Sequence, residues 1–230
     1  MINLTLSSKR HLVSFDTEYQ FCYSSGMSTS LRDRKKAKTH KLLGEVALRL
    51  FLEKGFAATT IDEIVAEAEV SRSTFFRYLT SKEEAAFPGR AERLARFQAV
   101  LSIRQPGESD LGLVRRAFEA FSADYIEHRH LLMAQQRLIV GDTSLYGYQR
   151  KLDKLWANAI ADAIAGETPQ SQLRAQVVAQ AVMGAMNAVT DVWFQDQGQG
   201  SLLELGKAAF EWLEYGFGRT FRGEYSNGEQ

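Results

Sequence analysis

Between Thr59 and Glu83 the chain reads Thr-Thr-Ile-Asp-Glu-Ile-Val-Ala-Glu-Ala-Glu-Val-Ser-Arg-Ser-Thr-Phe-Phe-Arg-Tyr-Leu-Thr-Ser-Lys-Glu. Three helix starts are crowded into this stretch. Thr60 and Glu63 form a capping box, each side chain answering the other's orphan amide. Ser71 is an N-cap for a helix spanning about Arg72 to Leu79. Ser81-x-x-Glu84 is a further capping box, starting a helix that reaches toward Ile103. Ile61, Ile64, Val65 and Ala68 form a stripe at helical spacing, so the first of these helices buries one face. Two short helices across a tight turn are how a helix-turn-helix presents its second helix to a DNA major groove.

The remainder reads as helix throughout. The chain has 230 residues, of which 45% are hydrophobic and 24% charged, and only three are proline. That composition suits an all-α fold of ordinary globular character. A first helix runs from near Leu31 or Asp33 to Lys54, with Leu43, Ala47, Leu50 and Phe51 on one face. Gly55 stops it in the left-handed conformation and Phe56 packs back. After Gln105-Pro106-Gly107, four or five further helices follow. Leu113, Ala117, Phe118, Phe121 and Tyr125 share a face in one, and Leu145, Tyr148, Leu152, Leu155, Trp156, Ala159 and Ala163 in another. Gly166 and Pro169 precede a long helix from about Ser171 to Gln195, and Gln197–Gly200 is a loop before a last helix from about Leu202 to Phe217. No strand alternation and no internal repeat is found. Residues 1–30, rich in Ser and Thr, show no helical period. They read as an upstream extension with Met27 as the natural start, the alternative being an ordered arm.

Net charge is zero, but it is unevenly divided. Residues 31–96 hold 14 Lys/Arg against 10 Asp/Glu, a net +4, and residues 97–230 hold 12 against 16, a net −4. A basic first part joined to an acidic second part suits one module that faces a polyanion and one that avoids it. The single cysteine, Cys22, cannot close an internal disulfide, and no signal peptide or stretch near the roughly 18 apolar residues of a spanning helix is read. A cytoplasmic protein without membrane attachment is expected.

A recognition helix needs short polar or basic groups where it meets base edges and phosphates. Arg72, Ser73 and Thr74 stand at the start of the Ser71-capped helix, with Phe76, Arg77 and Tyr78 along it. Phe75 and Leu79 point to the small core instead. Lys82 lies near the expected phosphate path, and Thr60 lies at a helix start, where amides are free for phosphate. The run Arg32-Asp33-Arg34-Lys35-Lys36-Ala37-Lys38 adds Arg34, Lys35 and Lys36 as phosphate or minor-groove contacts, the alternative being a solvated charge run.

Residues 43–83 resemble the N-terminal domain of tetracycline-repressor (TetR) family regulators. The resemblance rests on Ala47, Phe51, Gly55-Phe56, Thr59-Thr60, Ile64, Ala68, Val70-Ser71, Thr74-Phe75, Arg77-Tyr78 and Ser81-Lys82-Glu83. Two positions depart from the family pattern. Glu69 replaces the usual glycine of the turn, where a left-handed backbone would cost roughly 1–2 kcal/mol. Phe76 replaces the usual tyrosine of the recognition helix, removing about one hydrogen bond worth about 1 kcal/mol.

The resemblance implies a helix-turn-helix DNA-binding domain over residues 31–80 and a helical ligand-binding and dimerisation domain over 81–225. It also implies a regulator, expected to be a repressor, that binds a double-stranded, pseudo-palindromic operator as a homodimer and is released by a small-molecule effector. Resemblance to family members with Thr-Phe-Phe-Arg-Tyr recognition helices points to an apolar effector. Candidate lining residues are Phe121, Tyr125, Met133, Trp156, Met183, Met186 and Asn187, although aromatic and methionine side chains at such spacing also serve as plain core. Small residues Ala181, Gly184, Ala185 and Ala188 permit close helix approach. With Phe210, Leu213 and Phe217 of the last helix they make the candidate dimer interface. No cofactor, metal or catalytic constellation is expected: His128 and His130 are two apart and diverge on a helix, and no nucleophile or phosphate-loop motif is present. The rival reading is a helical adaptor protein with a vestigial helix-turn-helix.

Overall fold

The structure is a computed structural model, and it describes residues 31–216. The extension read at residues 1–30 and the interface residue Phe217 lie outside the described residues. Among the described residues there are ten helices and no strand. They are α1 (Leu31–Lys54), α2 (Ile61–Glu67), α3 (Arg72–Tyr78), α4 (Lys82–Ala85) and α5 (Arg90–Leu101), then α6 (Asp110–Glu127), α7 (Arg129–Gly141), α8 (Thr143–Ile164), α9 (Pro169–Gln195) and α10 (Leu202–Tyr215). The fold is all-α, a helix-turn-helix head followed by a helical body.

The head is built by local chemistry. Gly55, at φ +90°, ends α1, its amide donating to the Phe51 carbonyl at 2.9 Å. Phe56 then packs edge-on to Phe51, 5.0 Å between ring centres. The capping box at Thr60 is complete: the Glu63 amide donates to the Thr60 hydroxyl at 3.2 Å and the Thr60 amide donates to Glu63 at 2.8 Å. At the end of α2 the amides of Glu69 and Val70 donate back to the carbonyls of Ala66 and Val65, at 3.2 and 3.0 Å. This is the Schellman arrangement, which puts its C′ residue in the left-handed region. Glu69 occupies that place at φ +52° and bears the strain that a glycine would avoid.

One expected helix is two. The reading of a single helix from Ser81 toward Ile103 is corrected: α4 stops at Ala85 and α5 begins at Arg90. Pro88 supplies no amide and its ring crowds the preceding turn, and Gly89 adopts φ +71°. Ser81 still accepts the Glu84 amide at 3.2 Å, but Glu84 reaches back to Thr80 rather than Ser81, taking its amide and hydroxyl at 2.6 Å each.

The break matters because it joins head and body. Leu43, Phe51, Ile64, Phe75 and Leu79 form the head's core, which continues through Ala85, Ala86 and Phe87 to Ile139 of α7 and Leu145 of α8. A Cβ on Gly44 would lie 2.9 Å from the Cβ of Pro88, so α1 crosses the break at a distance only glycine permits. The body has its own core, with Phe97, Phe121, Trp156, Ile160, Trp193 and Phe210 at its centre. Each such side chain contributes about 1.5–3 kcal/mol on burial.

α9 departs from expectation twice. It begins at Pro169, where proline's missing amide and fixed φ suit the first helical position after the Thr168 cap. Its 27 residues are also long and apolar enough, by length and composition, to cross a bilayer, contrary to the expectation that no stretch comes near that. Part of that apolarity is core: Ala175, Ala179, Val182, Met186 and Trp193 are buried. The other face is exposed and carries Leu173, Val177, Ala181, Gly184, Ala188 and Val192 at helical spacing.

Candidate functional site

α3 is held from beneath and open above. Ser71 accepts the Thr74 amide at 3.1 Å, and Phe75 is fully buried under the helix. The opposite face presents Arg72, Ser73, Phe76 and Arg77, all exposed, with Thr74 and Tyr78 half-buried at its edges. Phe76 stands edge-on to Phe75, 5.3 Å between centres, and remains 47% exposed. An exposed phenyl group between two arginines can meet a thymine methyl while the guanidiniums meet guanine edges or phosphates. Arg77 stacks on Tyr78 at 5.0 Å and its Nη2 donates to the Thr74 hydroxyl at 3.4 Å. Arg72 pairs with Asp62 at 2.7 Å, but both side chains are largely exposed, so the pair is readily exchanged for a phosphate.

The flanking residues divide. Lys35 is exposed in α1, whereas the side chains of Arg34 and Lys36 lie outside what the structure describes. Thr60 is exposed and caps α2. Lys82 has an internal role that sequence reasoning missed. Its ammonium donates to the carbonyls of Phe56 and Thr59 at 2.8 and 2.9 Å and lies 4.2 Å from the centre of the Phe56 ring. It therefore fastens the α1–α2 turn. Lys54 and Glu63 fasten α1 to α2 at 2.8 Å, and the hydrogen bond from Lys54, with those from Thr60, holds the Glu63 carboxyl down at about 2.

The body contains a cavity between its helices that opens to solvent. Phe121, Tyr125, Trp156, Met183, Met186 and Asn187 all line it, as expected from the sequence. Met133 is corrected: it is buried but does not line the cavity, and Leu132, one residue earlier on α7, does. One residue along a helix turns a side chain by about 100°, which sequence alone could not resolve without the helix's orientation.

The cavity wall also holds a polar cluster that the sequence did not disclose. Arg90 Nη2 donates to Asp153 at 3.2 Å, while Arg150 and the Asn187 amide donate to the other carboxylate oxygen at 3.4 Å each. Gln135 lines the same cavity and donates to the Ala86 carbonyl in the α4–α5 break. Burial pushes the Asp153 carboxyl above the usual carboxylate range, against the lowering effect of Arg90, Arg150 and Asn187. Asp153 shares the core-facing stripe of α8 with Trp156, Ala157 and Ile160, and a carboxylate at helical spacing among apolar residues was the available signal.

Among the candidate interface residues, Ala181 and Ala188 are exposed and Ala185 and Leu213 half-buried. Phe210 is corrected: it is 2% exposed and packs 6.1 Å from the ring of Phe118, so it belongs to the internal core. On α10 the exposed aromatics are Trp212 and Tyr215.

Residues 43–84 match the family model for bacterial regulatory proteins of the tetR family, and residues 109–218 match the model for the MftR C-terminal domain. The HTH-type transcriptional regulator TcmR of Streptomyces glaucescens is 36% identical over 107 residues, 46% of this chain and 47% of TcmR. The match thus spans about half of that relative's length. The putative mycofactocin biosynthesis transcriptional regulator MftR of Mycobacterium tuberculosis is 27% identical over 194 residues, 81% of this chain and 94% of MftR. Thermus thermophilus FadR, a TetR family transcriptional repressor solved in complex with lauroyl-CoA, has a TM-score of 0.55 at 18% identity. That likeness covers 83% of this chain and all of FadR. NalD, the secondary repressor of the MexAB-OprM multidrug efflux pump in Pseudomonas aeruginosa, has a TM-score of 0.50 at 14% identity, over 80% and 97% of the two chains. At such identities the likeness to the two structures is one of fold. With both halves matched in order by their family models, the chain belongs to the TetR family, whose members are transcriptional regulators and not enzymes.

Proposed function

We propose that this protein is a dimeric, ligand-responsive repressor that acts in the cytoplasm on a pseudo-palindromic operator. The head over residues 31–80 reads DNA, and the body over 81–225 binds effector and partner. One observation carries the DNA-reading part: α3 buries Phe75 completely while leaving Arg72, Ser73, Phe76 and Arg77 open to solvent. A generic bundle has no use for a short helix with one sealed face and one arginine-flanked aromatic face.

The exposed stripe of α9 is the proposed dimer surface, with Trp212 of α10 beside it. Leu173, Val177 and Val192 are 66, 60 and 50% exposed, and Ala181, Gly184 and Ala188 between them allow close approach of a second helix. Two recognition helices about one helical turn of DNA apart, ~34 Å, or a multiple of that, then meet successive half-sites. An effector that prefers a dimer with a different head spacing lowers operator affinity by its differential affinity for the two states. The α4–α5 break is the route proposed for that coupling, since it touches α1 at Gly44 and the cavity wall at Arg90.

Electrophoretic mobility shift across a salt series tests the reading. A repressor binds one sequence tightly with a steep salt slope, and Arg77→Ala lowers affinity about tenfold and reduces the slope by about one. Weak, unselective binding that ignores Arg77→Ala would instead fit a helical adaptor protein.

A further inference from the structure

The cavity wall is of two kinds. Phe121, Trp156, Met183 and Met186 give it apolar surface. Arg90 and Asp153 give it an ion pair, with side chains only 18 and 12% exposed. A buried ion pair is poor evidence of stabilisation, because apolar residues of similar volume usually do as well. This one is also incomplete. Arg90 Nε is buried and has no hydrogen-bond partner, whereas the Asp153 carboxylate accepts from three donors, Arg90, Arg150 and Asn187. The unmet hydrogen-bonding capacity lies on the cation.

This asymmetry sets the sign of the ligand. A cationic head would have to displace donors from an already well-served Asp153, beside a guanidinium that repels it. An anionic head can serve the unpartnered Nε of Arg90 once the guanidinium turns from Asp153 into the cavity, and Arg93, one turn further along α5, lines the same wall. Asp153 can yield Arg90 without being stranded, since Arg150 and Asn187 hold its other oxygen. Burial, which holds the Asp153 carboxyl above its ordinary range, further lowers the cost of giving up a cation.

We propose that the cavity takes an amphiphile with a single anionic head. Its apolar body lies against Phe121, Trp156, Met183 and Met186, and its head, a carboxylate or similar small oxyanion, is bound by Arg90 through the edge that includes Nε. This rests on reading the cavity as the effector site and replaces a purely apolar effector with a charged one.

The test compares three probes of equal chain length, decanoate, 1-decanol and decyltrimethylammonium, below their micelle-forming concentrations. Binding to the full chain is followed by tryptophan fluorescence, with Trp156 in the cavity wall, and by calorimetry. Decanoate is expected to bind at least roughly tenfold more tightly than decanol, the worth of a charge-assisted hydrogen bond, and the cation most weakly. Arg90→Gln should bring decanoate down to the level of decanol and leave decanol unchanged. Asp153→Asn, which removes the competing carboxylate at constant shape, should tighten decanoate several-fold. It decides the matter if Arg90→Gln does not fold. Equal binding of decanoate and decanol, preference for the cation, a preference that survives Arg90→Gln, looser decanoate in Asp153→Asn, or no binding of any probe overturns the proposal. Since the readout is ligand binding and not DNA release, each of these results leaves the mobility-shift test of the repressor reading independent.

Discussion

In the head, charged side chains face outward and apolar ones seal a small core. In the body, the polar cluster of Arg90, Asp153 and Asn187 faces inward, and an apolar stripe on α9 faces outward. On the function proposed, the difference follows from what each part would meet. DNA is a polyanion, and it is met by solvated arginines whose surface ion pairs cost little to exchange. A small ligand is met in an enclosed space, where polar groups must already be in place before it arrives. A second protein copy is met by apolar area, so the body is inverted where the head is not.

The comparison can be broken at several points. Phe75→Ala empties the centre of the head and should cost about 3–5 kcal/mol. DNA binding should disappear while the body's helices and its cavity remain. Loss of ligand binding together with DNA binding, measured on the same sample, would show that head and body are one unit.

Val177→Glu places a charge in the middle of the exposed α9 stripe. A dimer that buries this stripe should lose several kcal/mol of association free energy and sediment as a monomer, with helicity unchanged. The former candidate Leu213 is a poorer probe, because it already packs against the body's core. An intact dimer in Val177→Glu moves the interface elsewhere.

Head and body each hold a non-glycine residue in the left-handed region after a helix, Glu69 at φ +52° and Gln197 at φ +56°. Glycine at either place relieves strain and adds freedom to the unfolded chain, for a net gain of about 0.5–1 kcal/mol. Thermal unfolding of Glu69→Gly and Gln197→Gly should show similar gains. A gain at one position only would show that the two turns differ in more than sequence.

The smallest effect concerns acid. Glu63 in the head and Glu108 in the body are both held at about 2, Glu63 chiefly by its hydrogen bond from Lys54 and Glu108 chiefly by that from Arg116. A carboxyl whose folded value lies below its unfolded value of 4.5 stabilises the fold above 4.5. That contribution fades as pH falls toward 2. The Glu63 side chain is 39% exposed and that of Glu108 only 11%, so salt should weaken the Glu63 contribution more than that of Glu108. In denaturant titrations between these pH values, Glu63→Gln and Glu108→Gln should each flatten the loss slightly; a flat response in the parent protein would remove the claim.

The head was legible because its determinants are local. Thr60, Ser71 and Ser81 mark helix starts within three residues of the amides they serve, and Gly55 marks an end. Where local reading fell short, a longer-range fact intervened. Lys82 reads as a phosphate contact, and the fold gives it a second task, holding two carbonyls 26 and 23 residues earlier in the chain. Pro88 was passed over inside an apparent helix, although its missing amide was visible in the sequence and was sufficient to break it.

The amino-acid sequence alone determined that this chain is helical, that it carries a helix-turn-helix between Thr60 and Leu79, and which face of α3 is outermost. Periodicity and capping act over one or two turns and need no partner to be read. Only the tertiary structure decided that Leu132 rather than Met133 meets the cavity, that Phe210 is interior, and that Arg90 meets Asp153 across 63 residues of chain. Those outcomes depend on the rotation and packing of whole helices against one another, which no local pattern encodes.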